Sequence, residues 1–179
     1  MISRSSAALI VIDIQDKLFQ AMHDKENLLA NALKVIRGAK VFNLPLIVTE
    51  QIPEKLGQTI PDVVEELGGI ERIAKETFSC WGNNRFQEKL ELLNRPDMII
   101  IGIESHICVY QTAIELLDNG YNVHIVADAV SSRTKENSDI GLGAMRNVGA
   151  FITSAEMVLF ELLRSAGNAG FKDIQKIVK

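Results

Sequence analysis

The sequence has little cysteine and no long apolar run, and both shortages limit what the protein can be. Two cysteines in 179 residues, Cys80 and Cys108, are too few for a disulfide scaffold, so in a reducing compartment either can react as a thiol. The apolar run from Ala7 to Ile12 stops at Asp13, short of the ~7–15 residues of a signal-peptide core, and no stretch reaches the ~18 apolar residues of a membrane span. We therefore expect a cytosolic protein.

Excess positive charge is also missing. Nineteen Lys and Arg residues face 23 Asp and Glu residues, which gives a net charge of -4, and no basic cluster stands out. The charge therefore gives no electrostatic case for binding nucleic acid through a basic face, or for attachment to a membrane surface through lysines. The 47% hydrophobic and 23% charged residues are typical of a globular protein with a sizeable core. We expect a single domain over residues 1–179.

Short β-branched runs alternate with amphipathic segments along the whole chain. The runs that predict buried strands cover residues 8–12, 46–49, 98–101, 123–127 and 151–153, with a weaker one near 73–76. The segments that predict helices cover about 25–42, 62–67, 84–93, 108–118, 135–147 and 155–163, followed by a weakly helical tail to 178. This alternation predicts a three-layer, doubly wound α/β fold with a mainly parallel sheet between two layers of helices.

In such a sheet the chemistry lies beyond the carboxyl ends of the strands. The rule selects Asp13, Glu50 and the loops that follow Glu76, Gly102 and Ala127. We expect any catalytic or binding residues to come from these five places.

Three residues near these strand ends can carry nucleophilic chemistry. Cys108 falls at the predicted first turn of a helix, where the helix dipole is expected to lower the pKa of its thiol; a buried structural cysteine is the alternative. Asp13 ends an apolar strand, where a carboxylate is costly unless it is paired, although a cap or turn residue would look the same. Lys75 taken alone is a solvated lysine. Together they supply a thiol, a cation to stabilise its thiolate and a carboxylate to move the proton.

Four segments in order resemble those of the isochorismatase-like cysteine hydrolases, over nearly the whole chain. They are the opening strand, the lysine motif, the nucleophile loop and the strand end that follows, at Ile10–Asp16, Lys75–Ser79, Gly102–Val109 and Ala127–Arg133. The resemblance implies a doubly wound fold with an Asp–Lys–Cys triad made by Asp13, Lys75 and Cys108.

The same resemblance implies a mechanism. Cys108 would attack a carbonyl carbon to form a thioester, Asp13 would move the proton and activate water, and Lys75 would hold the thiolate. A cis peptide bond is implied between Ile103 and Glu104, which would aim the N–H groups of Glu104 and Cys108 at the oxyanion.

One departure from the family pattern argues against a metal-binding site. The nicotinamidase branch of the family carries an Asp-x-His pair after the second strand, where this chain has Thr49–Pro53. The only histidines here, His23, His106 and His124, are scattered. We expect neither metal nor other cofactor, and no nicotinamidase activity.

Five further side chains are weaker candidates for contact with a small-molecule substrate: Phe19, Gln51, Phe78, Trp81 and His106. Aromatic residues near strand ends are more often part of the core, and a loop histidine is as often solvated. Cys80 is read as a bystander.

Hydrolysis of an amide-like C–N bond is the leading hypothesis. The alternatives are vinyl-ether hydrolysis of isochorismate, and a non-catalytic α/β module or thiol sensor that uses Cys80 and Cys108. A homo-oligomer is also expected, with the predicted helix at residues 155–163 and its apolar Val158, Leu159 and Phe160 as the contact surface.

Overall fold

One parallel sheet forms the centre of the computed structural model, which describes residues 1–179. Its six strands lie in the order β3-β2-β1-β4-β5-β6, and every neighbouring pair is parallel. The chain therefore winds outward from β1 in one direction and then in the other, which is the predicted doubly wound topology. The strands are β1 (Ala7–Ile12), β2 (Leu46–Gln51), β3 (Arg72–Lys75), β4 (Asp97–Ile103), β5 (Asn122–Ser131) and β6 (Phe151–Thr153).

Helices cover both faces of this sheet. They are α1 (Asp16–Gln20), α2 (Lys25–Val41), α3 (Pro53–Leu56), α4 (Pro61–Leu67), α5 (Asn84–Leu93), α6 (Tyr110–Asp118), α7 (Lys135–Asn147), α8 (Ala155–Leu163) and α9 (Phe171–Val178), and a π-helical turn (Ser105–Val109) runs directly into α6. One buried cluster packs α2, α4, α8 and α9 against the sheet. A second packs α5, α6 and α7 against the opposite face. The predicted three-layer fold is confirmed. None of the helices is both long and apolar enough to cross a bilayer.

Side-chain caps explain why three helices begin where the sequence predicts. The side chains of Asn83, Thr134 and Ser154 each accept a hydrogen bond from a main-chain N–H in the first turn of α5, α7 and α8. Such caps satisfy donors that a helix start otherwise leaves free.

The predicted end of the fifth strand is wrong. Residue 127 was expected to close it, but β5 continues to Ser131. Ile100 pairs with Ile125 whereas Gly102 pairs with Val130, so β5 bulges there with three more residues than β4. Asp128, one residue beyond the predicted end, is bonded within the fold: its carboxylate accepts from the first N–H of α8, and its carbonyl accepts from the Asn31 amide.

Most of the predicted oligomer surface on α8 is also wrong. Val158 and Leu159 are each 1% exposed and belong to the core cluster with α2. The exposed apolar residues of this helix are Met157 and Phe160, one turn apart, which are 62% and 39% exposed. The three apolar residues are consecutive in the sequence, but two of them are buried in the core of the protein.

Candidate active site

Asp13, Lys75 and Cys108 meet at the carboxyl edge of the sheet. Asp13 directly follows β1, Lys75 is the last residue of β3, and Cys108 lies in the π-helical turn after β4. Although β2 separates β1 from β3, Lys75 Nζ lies 2.7 Å from Asp13 Oδ2, with both side chains 0% exposed. The buried Cys108 thiol lies close enough to both groups that the charges of Asp13 and Lys75 influence its pKa. The fold therefore brings the three residues that are expected to act together to one place.

Four oxygen atoms surround the Lys75 ammonium. Besides Asp13, it contacts Gln51 Oε1 at 2.6 Å and the main-chain carbonyls of Phe78 and Thr77 at 3.0 and 3.1 Å. Burial lowers the pKa of Lys75, but the Asp13 carboxylate, together with the negative charge that Cys80 and Cys108 carry as thiolates, outweighs burial, so the pKa is raised overall. Lys75 is therefore a fixed positive charge rather than a proton donor.

The Asp13 carboxylate is held at both oxygens. Thr49 Oγ1 donates to Oδ1 at 2.7 Å, while Oδ2 faces Lys75. Burial raises the pKa of Asp13, and Lys75 and Thr49 oppose that effect without cancelling it. Asp13 therefore binds a proton more tightly than a free aspartate does. The residue also has φ of 52°, a left-handed conformation that a non-glycine residue adopts only where its surroundings enforce it.

The expected lowering of the Cys108 pKa is wrong. Burial, followed by the negative charge of Asp13, raises the pKa of the Cys108 thiol to about 12, and Lys75 only partly offsets this. A helix start is visible in the sequence, whereas the desolvation that penalises the thiolate depends on the fold. The resting side chain is a neutral thiol beside a carboxylate that can accept its proton.

Gln51 does not face open space, contrary to its prediction as a substrate contact. It is 4% exposed; its Oε1 accepts from Lys75, and its Nε2 donates to Glu76 O at 2.7 Å. Its own N–H donates to Gln15 Oε1 at 2.6 Å, and its carbonyl accepts from Gln15 Nε2 at 3.0 Å. The Gln15 side chain therefore pairs with β2 as a strand neighbour would.

The other four pocket candidates lie in different surroundings. The Trp81 ring packs edge-on against Tyr121, which directly precedes β5, with 6.1 Å between the ring centroids, and its place in a substrate pocket stays a prediction. Phe19 is buried in the core cluster with α2. Phe78 places its carbonyl on Lys75 and leaves its ring 54% exposed. His106 is half-buried.

Residues 103–109 shape the turn that carries Cys108. The peptide bond between Ile103 and Glu104 is cis, and the Glu104 carbonyl accepts from Ile107 N at 3.1 Å and Val109 N at 3.2 Å. The Glu104 carboxylate is paired with Arg133 Nε at 2.9 Å. This turn is therefore tied to the end of β5 as well as to β4.

The next turn residue is tied to β5 in the same way. His106 Nδ1 lies 2.9 Å from Ser132 Oγ. The strand ends β4 and β5 are thus joined by two side-chain contacts.

Two residues at the site escaped the sequence analysis as individual candidates. Thr49 follows a buried strand and looks like an ordinary β-branched strand residue, yet its register against Ile12 places it beside Asp13. Gln15 comes two positions after Asp13, and only that spacing hinted at it. No group of three or more His, Cys, Asp or Glu side chains comes together anywhere as a metal ion would require.

Comparison with known proteins adds the family context. The isochorismatase domain model matches residues 7–157. Isochorismatase domain-containing protein 2 of Danio rerio is 35% identical over 178 residues, which cover 99% of this chain and 89% of the relative.

Two solved structures are similar over nearly the whole chain. The MAR1 ribonuclease of Caenorhabditis elegans aligns with a TM-score of 0.93 and 33% identity, over 99% of this chain and 91% of that one. YcaC of Pseudomonas aeruginosa, with hexane-2,5-diol and covalent acrylamide, aligns with a TM-score of 0.93 and 25% identity, over 98% and 90%.

Proposed function

This chain belongs to the isochorismatase family, and from that starting point we propose that it is a cysteine hydrolase that cleaves an amide-like C–N bond of a small molecule. One observation carries the proposal. A thiol, a carboxylate and an ammonium group come together at the carboxyl edge of the sheet: Lys75 Nζ lies 2.7 Å from Asp13 Oδ2, and the buried Cys108 thiol lies near the same carboxylate. This is a nucleophile with its own base and a fixed counter-charge.

The reaction begins with a neutral thiol. As Cys108 Sγ attacks the carbonyl carbon, the thiol proton moves to Asp13, whose raised pKa makes it a better base than a free carboxylate. Asp13 then gives this proton to the leaving nitrogen as the C–N bond breaks, and a thioester and a free amine result. Water, deprotonated by Asp13, attacks the thioester to release a carboxylic acid and restore the thiol.

Lys75 contributes charge rather than protons. Its raised pKa keeps the ammonium positive, which stabilises the sulfur as negative charge develops on it. The N–H groups of Glu104 and Cys108 are assigned to the carbonyl oxygen of the substrate. Loss of one such donor typically costs about 10²–10³ in rate.

The structure of the Pseudomonas aeruginosa neighbour supports both parts of the proposal, a nucleophilic residue and an amide as its target. Its structure carries covalent acrylamide, a molecule that is both a small amide and an electrophile for thiols. Acrylamide is accordingly the first compound to test for covalent modification of Cys108.

The experiment is a panel of small amides incubated with the full chain, with release of amine or ammonia as the signal. Cys108→Ala and Cys108→Ser should abolish turnover of any amide that the wild type hydrolyses, and Cys80→Ser should retain it. Full turnover by Cys108→Ala would remove the proposal.

RNA is the second candidate substrate, because the Caenorhabditis elegans neighbour at 33% identity is described as a ribonuclease. The net charge of -4 weighs against it, since binding to phosphate groups draws on positive charge. Incubation of the wild type with single-stranded RNA separates the two: cleavage that survives in Cys108→Ala would favour ribonuclease activity at another site. An assay with isochorismate tests the vinyl-ether alternative in the same way.

We also propose that the chain forms a homo-oligomer. The support for an oligomer is a set of exposed apolar side chains near the β6 edge of the sheet: Val148, Phe151, Met157 and Phe160. Sedimentation at micromolar concentration should show a species larger than 19.8 kDa, and a monomer would contradict this.

A further inference from the structure

Cys80 has no role in the mechanism above, yet it lies within the same cluster. It is 0% exposed, and its Sγ is 3.7 Å from Thr49 Oγ1. Its N–H donates to Thr112 Oγ1 at 2.9 Å. Thr112 is itself fully buried on α6, one turn beyond Cys108. Cys80 therefore joins the helix that follows the nucleophile to the end of β2.

The donor and the acceptor of each hydrogen bond from Cys80 through Thr49 to Asp13 follow from the chemistry of the groups. The Asp13 carboxylate can only accept, so Thr49 must donate its single hydroxyl proton to Oδ1. The lone pairs of Thr49 Oγ1 are then left for a donor, and the Cys80 S–H group occupies that position. Burial raises the pKa of Cys80 to about 11, so the thiol keeps its proton at neutral pH and remains a donor.

We propose, building on the hydrolase function above, that Thr49 and Cys80 are positioning residues that orient the Asp13 carboxylate toward Cys108. Thr49 holds Oδ1 while Lys75 holds Oδ2, which fixes the plane of the carboxylate. Cys80 fixes the Thr49 hydroxyl and, through Thr112, ties it to the helix of the nucleophile. Both residues act through Asp13 rather than on Cys108 or the substrate.

The assignment also explains why two cysteines lie so close without sharing a role. Cys80 has no exposed surface, so a dissolved oxidant does not reach its sulfur. A thiol sensor would need an accessible sulfur of low pKa, and Cys80 has neither property. The titratable groups that face Asp13 are Lys75 from β3, Cys80 from the loop after it, and Cys108 from the turn after β4.

The test measures how fast iodoacetamide alkylates Cys108 as a function of pH, followed by mass spectrometry on the full chain. In Thr49→Val the carboxylate loses a donor that favours its charged form. The pH of half-maximal rate should rise by about one unit, which is about a tenfold loss below the midpoint. Thr49→Ser keeps the hydroxyl and should restore the wild-type profile. Cys80→Ala should also raise the pH of half-maximal rate, with about a threefold loss in rate below the midpoint. Cys80→Ser keeps a hydrogen-bond donor and should leave the profile unchanged.

A thermal melt of each variant separates positioning from folding, because lost packing lowers the melting temperature without moving the pH profile of the native protein. A folded Thr49→Val with an unshifted profile overturns the positioning role, as does Thr49→Ser with the same shift as the valine variant. If Thr49→Val does not fold, the Cys80 pair decides: a shift in the alanine variant alone supports the role, and any other result overturns it. A wild-type Cys108 that resists alkylation would instead overturn the proposed hydrolase, and the positioning role with it.

Discussion

Lys75 Nζ and Asp13 Oδ2 form a 2.7 Å ion pair from which water is excluded on both sides. Removal of one partner leaves the other as an uncompensated buried charge. We expect Asp13→Asn or Lys75→Met to lower the free energy of unfolding by about 3–5 kcal/mol, and the double variant to recover part of that loss. Urea unfolding of the three variants measures it. Asp139→Asn, which breaks the exposed Lys135–Asp139 pair, is the control and should have no measurable effect.

Gln15 offers a second test of how the strand ends are held together. Its side chain is 0% exposed and bonds to the N–H and carbonyl of Gln51 and to the carbonyl of Gly57. Gln15→Leu leaves these groups without partners and should cost about 1–3 kcal/mol in urea unfolding. Gln20→Leu, at an exposed position on α1, should cost far less; equal losses would show that the Gln15 contacts contribute nothing.

Gly102 and Gly143 should respond to alanine in opposite directions. A Cβ at Gly102 would lie 2.1 Å from the Ile12 carbonyl oxygen, at a φ of +130°, so β4 could approach β1 only by distorting both strands. We expect Gly102→Ala to destabilise the protein by at least about 3 kcal/mol. Gly143 lies inside α7 with open space around its Cβ position, and alanine there should stabilise the helix by up to about 1 kcal/mol. Changes of the same sign in thermal melts would contradict this account of the two sites.

His124 should make the protein less stable in mild acid. Burial lowers the pKa of His124, and its contact with Asp97 at 3.4 Å only partly opposes this. The unfolded chain therefore binds a proton below its ordinary pKa of about 6.5 when the folded chain does not, and stability falls as the pH drops through that value. The fall stops once the pH is below the folded pKa.

The measurement is the free energy of unfolding between about pH 7 and pH 5, a window that lies above the titration of ordinary carboxylates. His124→Gln should flatten the slope, and His23→Gln, at an exposed loop position, should keep it. An unchanged slope in His124→Gln would assign the acid sensitivity to other groups.

Much of the architecture could be predicted because the relevant signals are local. The β-branched runs that became β1 and β4 are buried on both faces, and a parallel strand in a three-layer fold must be apolar throughout. The caps Asn83, Thr134 and Ser154 likewise act within one turn of the chain. The short helices α1 and α3 were missed because five and four residues are too few to show a helical period.

The residues of the candidate site could be predicted from the sequence, but their protonation and their hydrogen-bond partners could not. Asp13, Lys75 and Cys108 could be named from motifs, whereas the raised pKa of Cys108 depends on burial that only the folded chain reveals. Gln51 was misjudged for a related reason: a polar residue at a strand end looks available for substrate until its four bonding groups are traced to Lys75, Glu76 and Gln15. The contact between the Trp81 and Tyr121 rings could not be predicted either, because the two residues are far apart in the sequence.

The pH profile of Cys108 alkylation tests the centre of the account most directly, because it needs no substrate. If Asp13 is the base for a neutral thiol, alkylation of the wild type should rise with ionisation of a carboxylate, well below the free-thiol value of about 8.5. Asp13→Asn should lose that rise, with at least a tenfold lower rate near about pH 6. Superimposed profiles for the two proteins, both rising only near the free-thiol value, would show that Asp13 does not activate Cys108.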